Sequence, residues 1–230
     1  MLLYIIFINL FWIYKMKRKF MIVAFAAVAL FTMVSANATL LLNINDGADH
    51  VISDNGSGDF ATASGLILNV GTYNNFDLTI TTARGTELNP FPELWDLSID
   101  SSSTGAGTLV VSMTETDLTN FNFIRMINTG ITEAAIDYSL YVDVGNGEFA
   151  TTTLIAQTLN NVGAFAVSDP ALFDSITGPF SMTLVATITA TTGEQSISSD
   201  TLVIVPEPAS LALFGIGLLG LGFARRRKDS

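Results

Sequence analysis

Ile136-Asp-Tyr-Ser-Leu-Tyr-Val-Asp-Val144 places an apolar side chain at every second position. Successive side chains of an extended strand point to opposite faces, so this spacing gives one buried face and one polar face. Similar runs recur in both directions along the chain. Upstream they fall at 39–44, 65–70, 76–81, 95–99, 108–113 and 121–126, and downstream at 152–156, 180–188 and 201–205. Turn chemistry separates them: Asp54-Asn-Gly-Ser-Gly-Asp59, Asn89-Pro-Phe-Pro92, Ser101-Ser-Ser-Thr-Gly-Ala-Gly107, Gly145-Asn-Gly147 and Thr191-Thr-Gly193. The region shows no amphipathic helix longer than two turns, no domain linker and no repeat period. The fold class expected is all-β, a single antiparallel β-sandwich or jelly-roll-like ectodomain of about ten strands over residues 39–205.

Charge is segregated. Of 10 Lys and Arg, four sit at Lys15, Lys17, Arg18 and Lys19, and four at Arg225, Arg226, Arg227 and Lys228. Only Arg84 and Arg125 remain in 39–205, against all acids but Glu207 and Asp229 of the 21 in the chain. Nucleic acid is thereby excluded as a partner, because phosphate binding needs clustered cations that release counterions. The positive mean hydropathy comes from apolar runs at the two ends, around a middle rich in Thr, Ser, Asn and Gly. With no cysteine there are no disulfides, thiolate metal sites or cysteine nucleophiles. A middle this long buries a core without such staples.

Both ends read as addresses. From Met16 a basic stretch precedes an apolar run, 20–34, and then Ser35-Ala36-Asn37-Ala38. Those are the three parts of a secretory signal peptide over 16–38. Ala36 and Ala38 form the signal-peptidase site, because its pocket admits only small side chains, and cleavage would leave Thr39 first. Residues 1–15 are expected to be an over-extended start with Met16 as initiator. The other reading is a short apolar hairpin, since 14 helical residues span only about 21 Å against a core of ~30 Å.

At the other end Pro206-Glu207-Pro208 leads into an uncharged apolar run, 209–224, and then the basic tail 225–228. As a helix the run is about 24 Å long, and snorkelling arginines extend its reach. Basic residues after such a run stay cytoplasmic, which leaves the middle outside the inner membrane. Gly215-Ile-Gly-Leu-Leu-Gly220 matches a dinucleotide fingerprint only in letters. It has no preceding strand, and its glycines suit close packing in a membrane helix.

Residues 206–230 resemble a PEP-CTERM sorting signal: a Pro-Glu-Pro tripeptide, a Gly-rich apolar helix and an Arg-rich tail, in that order at the chain end. The resemblance implies processing by an exosortase, a transpeptidase-like membrane enzyme of Gram-negative bacteria that make exopolysaccharide. It makes Pro206, Glu207 and Pro208, with Arg225, Arg226 and Arg227, recognition residues for that enzyme. The two prolines suit the role, because they fix φ and remove amide donors and so keep the segment extended. Several middle segments, among them 40–47 and Glu115-Thr-Asp117, resemble a group of exported PEP-CTERM proteins without an established activity.

Chemistry in the middle is sparse. His50 is the only histidine, and its neighbour Asp49 would point to the other side of a strand, which argues against a Ser-His-Asp relay. Acids scattered singly over strands and turns suit solubility better than two-carboxylate hydrolysis. Asp46, Asp49, Asp54 and Asp59, on Gly-flexed loops, are candidate calcium ligands, although neither loop is an EF-hand and such clusters are also ordinary turn chemistry. No other cofactor is expected. The aromatic loop Asn89-Pro-Phe-Pro-Glu-Leu-Trp-Asp96 plugs the end of the sandwich or, alternatively, contacts sugar. The expected protein is non-enzymatic: an exosortase-sorted surface or matrix component in an exopolysaccharide or biofilm setting. Its partners are signal peptidase, exosortase, the inner membrane and extracellular polysaccharide. The alternative is a secreted carbohydrate-binding, or less readily carbohydrate-processing, domain.

Overall fold

The structure, a computed structural model, describes residues 39–86, 93–119, 123–172, 176 and 178–204. The chain divides into two compact units, Met1–Ser35 and Ala36–Ser230, and every described residue belongs to the second. Both address segments therefore lie outside the described residues, including the expected helix over 209–224.

Ten strands form in chain order: β1 (Leu40–Asn45), β2 (Asp49–Ser53), β3 (Leu66–Tyr73), β4 (Phe76–Arg84) and β5 (Glu93–Ser103), then β6 (Gly107–Leu118), β7 (Phe123–Asp143), β8 (Thr153–Leu172), β9 (Phe180–Ala190) and β10 (Ser196–Ile204). All pair antiparallel, along the path β2-β1-β6-β9-β7-β10-β5-β4-β3, with β8 on β7. The expected all-β sandwich is what forms, and β7 explains how one path becomes two layers. Its first half, from Arg125 to Thr132, pairs with β10, and its second half, from Ala135 to Asp143, pairs with β9. β8 follows the opposite edge of β7 throughout, and the register shifts between Thr132 and Ile136. Such a shift is a bulge, which bends a strand and lets it change sheets. Gly163, beside the bend on β8, has φ +75°, a conformation that costs glycine little. The ribbon doubles over so far that the Gln157 amide donates to Asp169 Oδ2 at 2.9 Å, although both residues belong to β8.

Inward positions fall at the expected period. Leu109, Val111 and Met113 of β6, Met182, Leu184, Ala186 and Ile188 of β9, and Trp95, Leu97 and Ile99 of β5 are buried in one core. Burying each large side chain contributes about 1.5–3 kcal/mol. β9 departs from half-burial, being buried on both faces from Phe180 to Leu184. There the polar outer face is satisfied: the Thr183 hydroxyl lies 3.0 Å from that of Thr114, and the Ser181 hydroxyl donates to the Gly147 carbonyl at 2.7 Å.

Register fixes the two poles. Leu40 lies opposite Glu115, Glu115 opposite Met182, and Ile204 between Arg125 and Glu93. The Thr86 amide, just past β4, donates to Glu115 and so ties the second layer to the same end. Thr39 and Ile204 therefore leave the sandwich at one pole, called here the terminal pole. The β1–β2, β3–β4, β5–β6 and β9–β10 turns form the opposite pole.

Candidate functional site

At the terminal pole the inward register of β6 continues from Met113 to a carboxylate. Glu115 is only 1 % exposed. It accepts from the Thr86 amide at 3.1–3.2 Å, from the Thr86 hydroxyl and from the Trp95 indole N–H. A buried carboxylate survives only when donors replace water, and these do so. Trp95 is the first inward residue of β5, and none of its surface is exposed. The reading of the 89–96 loop as a sugar contact is corrected in this respect, since Trp95 belongs to the core. Its partner Phe91 lies outside the described residues. Sequence reasoning passed over Glu115; the signal was an acid falling in step with Leu109, Val111 and Met113. The same pole holds Asp143, whose Oδ2 accepts from the Gly147 amide at 2.8 Å and whose Oδ1 accepts from the Thr152 hydroxyl at 3.0 Å. The backbone donor at Gly147 pulls its pKa below the usual range, against some desolvation.

The calcium candidates do not converge. Asp46 and Asp49 flank the β1–β2 turn at the opposite pole, whereas Asp54 and Asp59 follow β2 at the terminal pole. Five strand residues separate the pairs, roughly 16 Å. Asp49 Oδ1 accepts from the side-chain amides of Asn43 at 2.8 Å and Asn45 at 2.6 Å, and these bonds lower its pKa. Asp46 Oδ1 accepts from the Ala48 amide and lies 3.3 Å from His50 Nε2. Asp54 Oδ2 accepts from the Gly65 amide at 2.9 Å. Asp59 accepts from the amides of Asn55, Ala61 and Leu68 at 2.8–3.0 Å. Each carboxylate thus closes a turn with at least one oxygen, although Asp54 Oδ1 is buried without a hydrogen-bond partner. Among the described residues no group of three or more His, Asp or Glu is placed to hold a metal. His50 sits edge-on to Tyr73, ring centres 5.2 Å apart, and the Tyr73 hydroxyl donates to Asn69 Oδ1 at 2.7 Å.

The outer face of the second layer carries a group that the linear sequence conceals. Asp200 of β10 lies opposite Ser98 of β5, with Asp96 and Asp100 two residues to either side on the same face. Arg84 on β4 lies opposite Asp96, at 3.5 Å. Desolvation, then a hydrogen bond with Asp96 and the charges of Asp96 and Asp100, push Asp200 up to about 7. Asp200 therefore keeps its proton far above the usual carboxylate range. Asp200 and Asp96 stand mid-strand, away from the loops that border the poles.

The sites named for processing, Ala36, Ala38, Pro206, Glu207, Pro208, Arg225, Arg226 and Arg227, lie outside the described residues, but their attachment points do not. The Thr116 amide donates to the Thr39 carbonyl at 3.2 Å, fixing the start of the domain on β6. β10, between β7 and β5, is an interior strand that remains paired to Ile204, one residue before Val205.

Residues 205–228 match the family model described as the PEP-CTERM protein-sorting motif. No curated protein matches the chain in sequence. Among solved structures, the sandwich is similar to a carbohydrate-binding module, TmCBM61, in complex with β-1,4-galactotriose: 8 % identity, 65 % of this chain and 92 % of that one, TM-score 0.34. It is also similar to the K2 cleaved adhesin domain of Lys-gingipain, at 8 % identity, 65 % and 93 % coverage and TM-score 0.37. A third is the carbohydrate-binding module of Cellvibrio mixtus lichenase 5A with cellotriose, at 6 % identity, 60 % and 92 % coverage and TM-score 0.30. Likeness at this level says nothing of ligand. The C-terminal motif is specific, and it supports reading this chain as an exported, membrane-anchored precursor that carries a PEP-CTERM sorting signal.

Proposed function

We propose that the chain is a non-enzymatic surface or extracellular-matrix protein, and that its β-sandwich is delivered by exosortase into an exopolysaccharide or biofilm setting. The observation that carries this reading is the junction at Ile204. The sorting motif begins immediately after an interior strand, so the tether pulls on the middle of a sheet and a folded domain stands directly above the cut. Both ends of the domain leave by one pole, which suits a body held at a membrane by its signal peptide first and by its C-terminal helix afterwards. Signal peptidase cuts after Ala38, Pro206-Glu207-Pro208 is the recognition segment for exosortase, and the basic tail at 225–228 holds the helix in the inner membrane until then. Replacing Pro206, Glu207 and Pro208 together with alanine should trap the precursor in the inner-membrane fraction. Arrival of that variant at the cell surface or in the medium, in wild-type amount, would refute sorting through this motif.

A second reading, binding of extracellular glycan, draws on the opposite pole. Asn43, Asn45, Asp49 and His50 form a hydrogen-bonded array there, with His50 45 % exposed in its side chain. Amides and carboxylates held in place by one another are the groups that orient sugar hydroxyls. Retention of the purified protein on the host's own polysaccharide, lost in Asp49→Ala with unchanged melting, would support it. Equal retention of wild type and Asp49→Ala would remove it.

A further inference from the structure

Twenty consecutive residues, 149–168, contain no charged side chain, in a domain otherwise dominated by acids. They make up most of β8, which among the described residues pairs only with β7 and so leaves one edge open. On this ribbon Leu154, Leu159, Val162 and Val167 are 37–56 % exposed, and Ile131 of β7 is 66 % exposed. Ile131 lies directly opposite Ala164, so these two share a face at the bend, with the exposed Val162 close by in sequence. A long, uncharged apolar edge is what soluble proteins normally blunt with lysine, proline or inward charge. Here Pro170 and the Asp169–Gln157 bond do so at only one end.

We infer that the β7–β8 ribbon is a homophilic contact surface, occupied by the same ribbon of a second copy of this chain. Charge selects that occupant. With two arginines against many acids in each domain, most approaches of two copies bring carboxylates together and are repelled. The uncharged 149–168 stretch of β8 is the approach that brings fewest together, the acids of the ribbon being Glu133, Asp137 and Asp143 on β7 and Asp169 near the end of β8. The acids at its borders are also turned aside: Glu133 Oε2 accepts from the Ser196 amide at 2.9 Å, and Asp169 caps Gln157. A basic partner would favour the acidic faces instead, whereas a neutral mix of Leu, Val, Ala and Thr complements itself across a two-fold axis. Each half of the ribbon, about ten residues at ~3.3 Å, is long enough to contribute to the ~800 Å² per partner of a stable interface.

The absence of cysteine gives a direct test in the full-length protein in its host membrane. Leu159→Cys, Val162→Cys and Val167→Cys, one at a time, should give a disulfide-linked homodimer under mild oxidation at one or more of the three positions. Val51→Cys and Val70→Cys, equally exposed on β2 and β3, should give little. Adding Leu159→Lys to the Val162→Cys or Val167→Cys variant should abolish the dimer band while leaving protein level and melting unchanged. Cross-linking should strengthen from low salt to about 1 M, where the Debye length falls to about 3 Å and repulsion between copies is screened. Ribbon positions that cross-link no better than Val51→Cys and Val70→Cys would overturn the inference, as would products containing only a different protein. None of these outcomes depends on whether the sorting motif is cut.

Discussion

The terminal pole and the outer face of the second layer treat carboxylates in opposite ways. At the pole, Glu115 and Asp143 face N–H and O–H donors: Thr86, Trp95, Gly147 and Thr152. On the face, Asp200 meets Asp96 and Asp100, and the charged form becomes the unfavourable one. Depth alone is not what separates them, since the deeply buried Glu115 is the better supplied. At Asp200 desolvation acts first and acidic neighbours add to it, whereas at the pole donors offset burial. Donors at the pole pin the loops from which the chain enters and leaves, and acids on the face leave a strand surface that prefers to keep a proton.

Breaking the pole should cost most. Glu115→Gln presents an amide N–H₂ to Trp95 and Thr86, which are donors, and leaves a buried cluster unsatisfied. A loss of about 3 kcal/mol is expected. For a domain of this size that lowers Tm by roughly 6–12 °C, readable by calorimetry. Trp95→Ala should cost about 3–5 kcal/mol as a core cavity and act on folding, without a selective loss of any sugar affinity.

The face should respond to pH with the reverse sign from an ordinary carboxylate. Asp200 rises from 3.8 to about 7 in the folded state, so between those values the native protein holds a proton that the unfolded chain has released. Stability therefore falls as pH rises from about 4 to about 7 and levels off above. Solvent screening at an exposed strand reduces the effect to on the order of 1 kcal/mol. Asp200→Asn should flatten that slope and be the more stable form above pH 7; an unchanged slope would mean that Asp200 does not carry it.

Asp143→Asn sharpens the contrast from the other side. It weakens the bond from Gly147 and should cost about 1 kcal/mol near neutrality. Because the Asp143 pKa is lowered, its contribution is present above the unfolded value and fades as acid protonates it. The smallest effect concerns Asp46, Asp49, Asp54 and Asp59. The two pairs lie at opposite poles, and no group of three or more His, Asp or Glu converges among the described residues, so EDTA should leave Tm unchanged, and a drop on chelation reversed by calcium would contradict this.

The strand pattern was legible where side chains alternate between a core and a polar face, as at 136–144 and 180–188. It failed on the ribbon. Residues 121–126 and 136–144 read as two separate strands, yet β7 runs unbroken from Phe123 to Asp143. Gly130 is there for space: a Cβ would fall 2.6 Å from the Ser198 carbonyl oxygen and 2.9 Å from the Phe165 ring. The sequence shows β8 only at 152–156, whereas the strand continues to Leu172 through Asn160, Asn161, Gly163 and Pro170. An edge strand tolerates them, since Pro170 needs no donor there. The Asp96–Asp200 pair could not be read at all, as strands 100 residues apart in sequence become neighbours only through the order β10-β5. The sorting motif was legible in full, because it is one continuous stretch of sequence, residues 205–228.

The most direct test of the central claim is terminal-peptide mass spectrometry on the protein from its own host, separated into membrane, periplasmic and extracellular fractions. A surface or extracellular product that begins at Thr39 and ends near Pro208 is the predicted result. A product that keeps Arg225–Lys228 and stays in the inner membrane would contradict exosortase processing and leave a simple anchored domain.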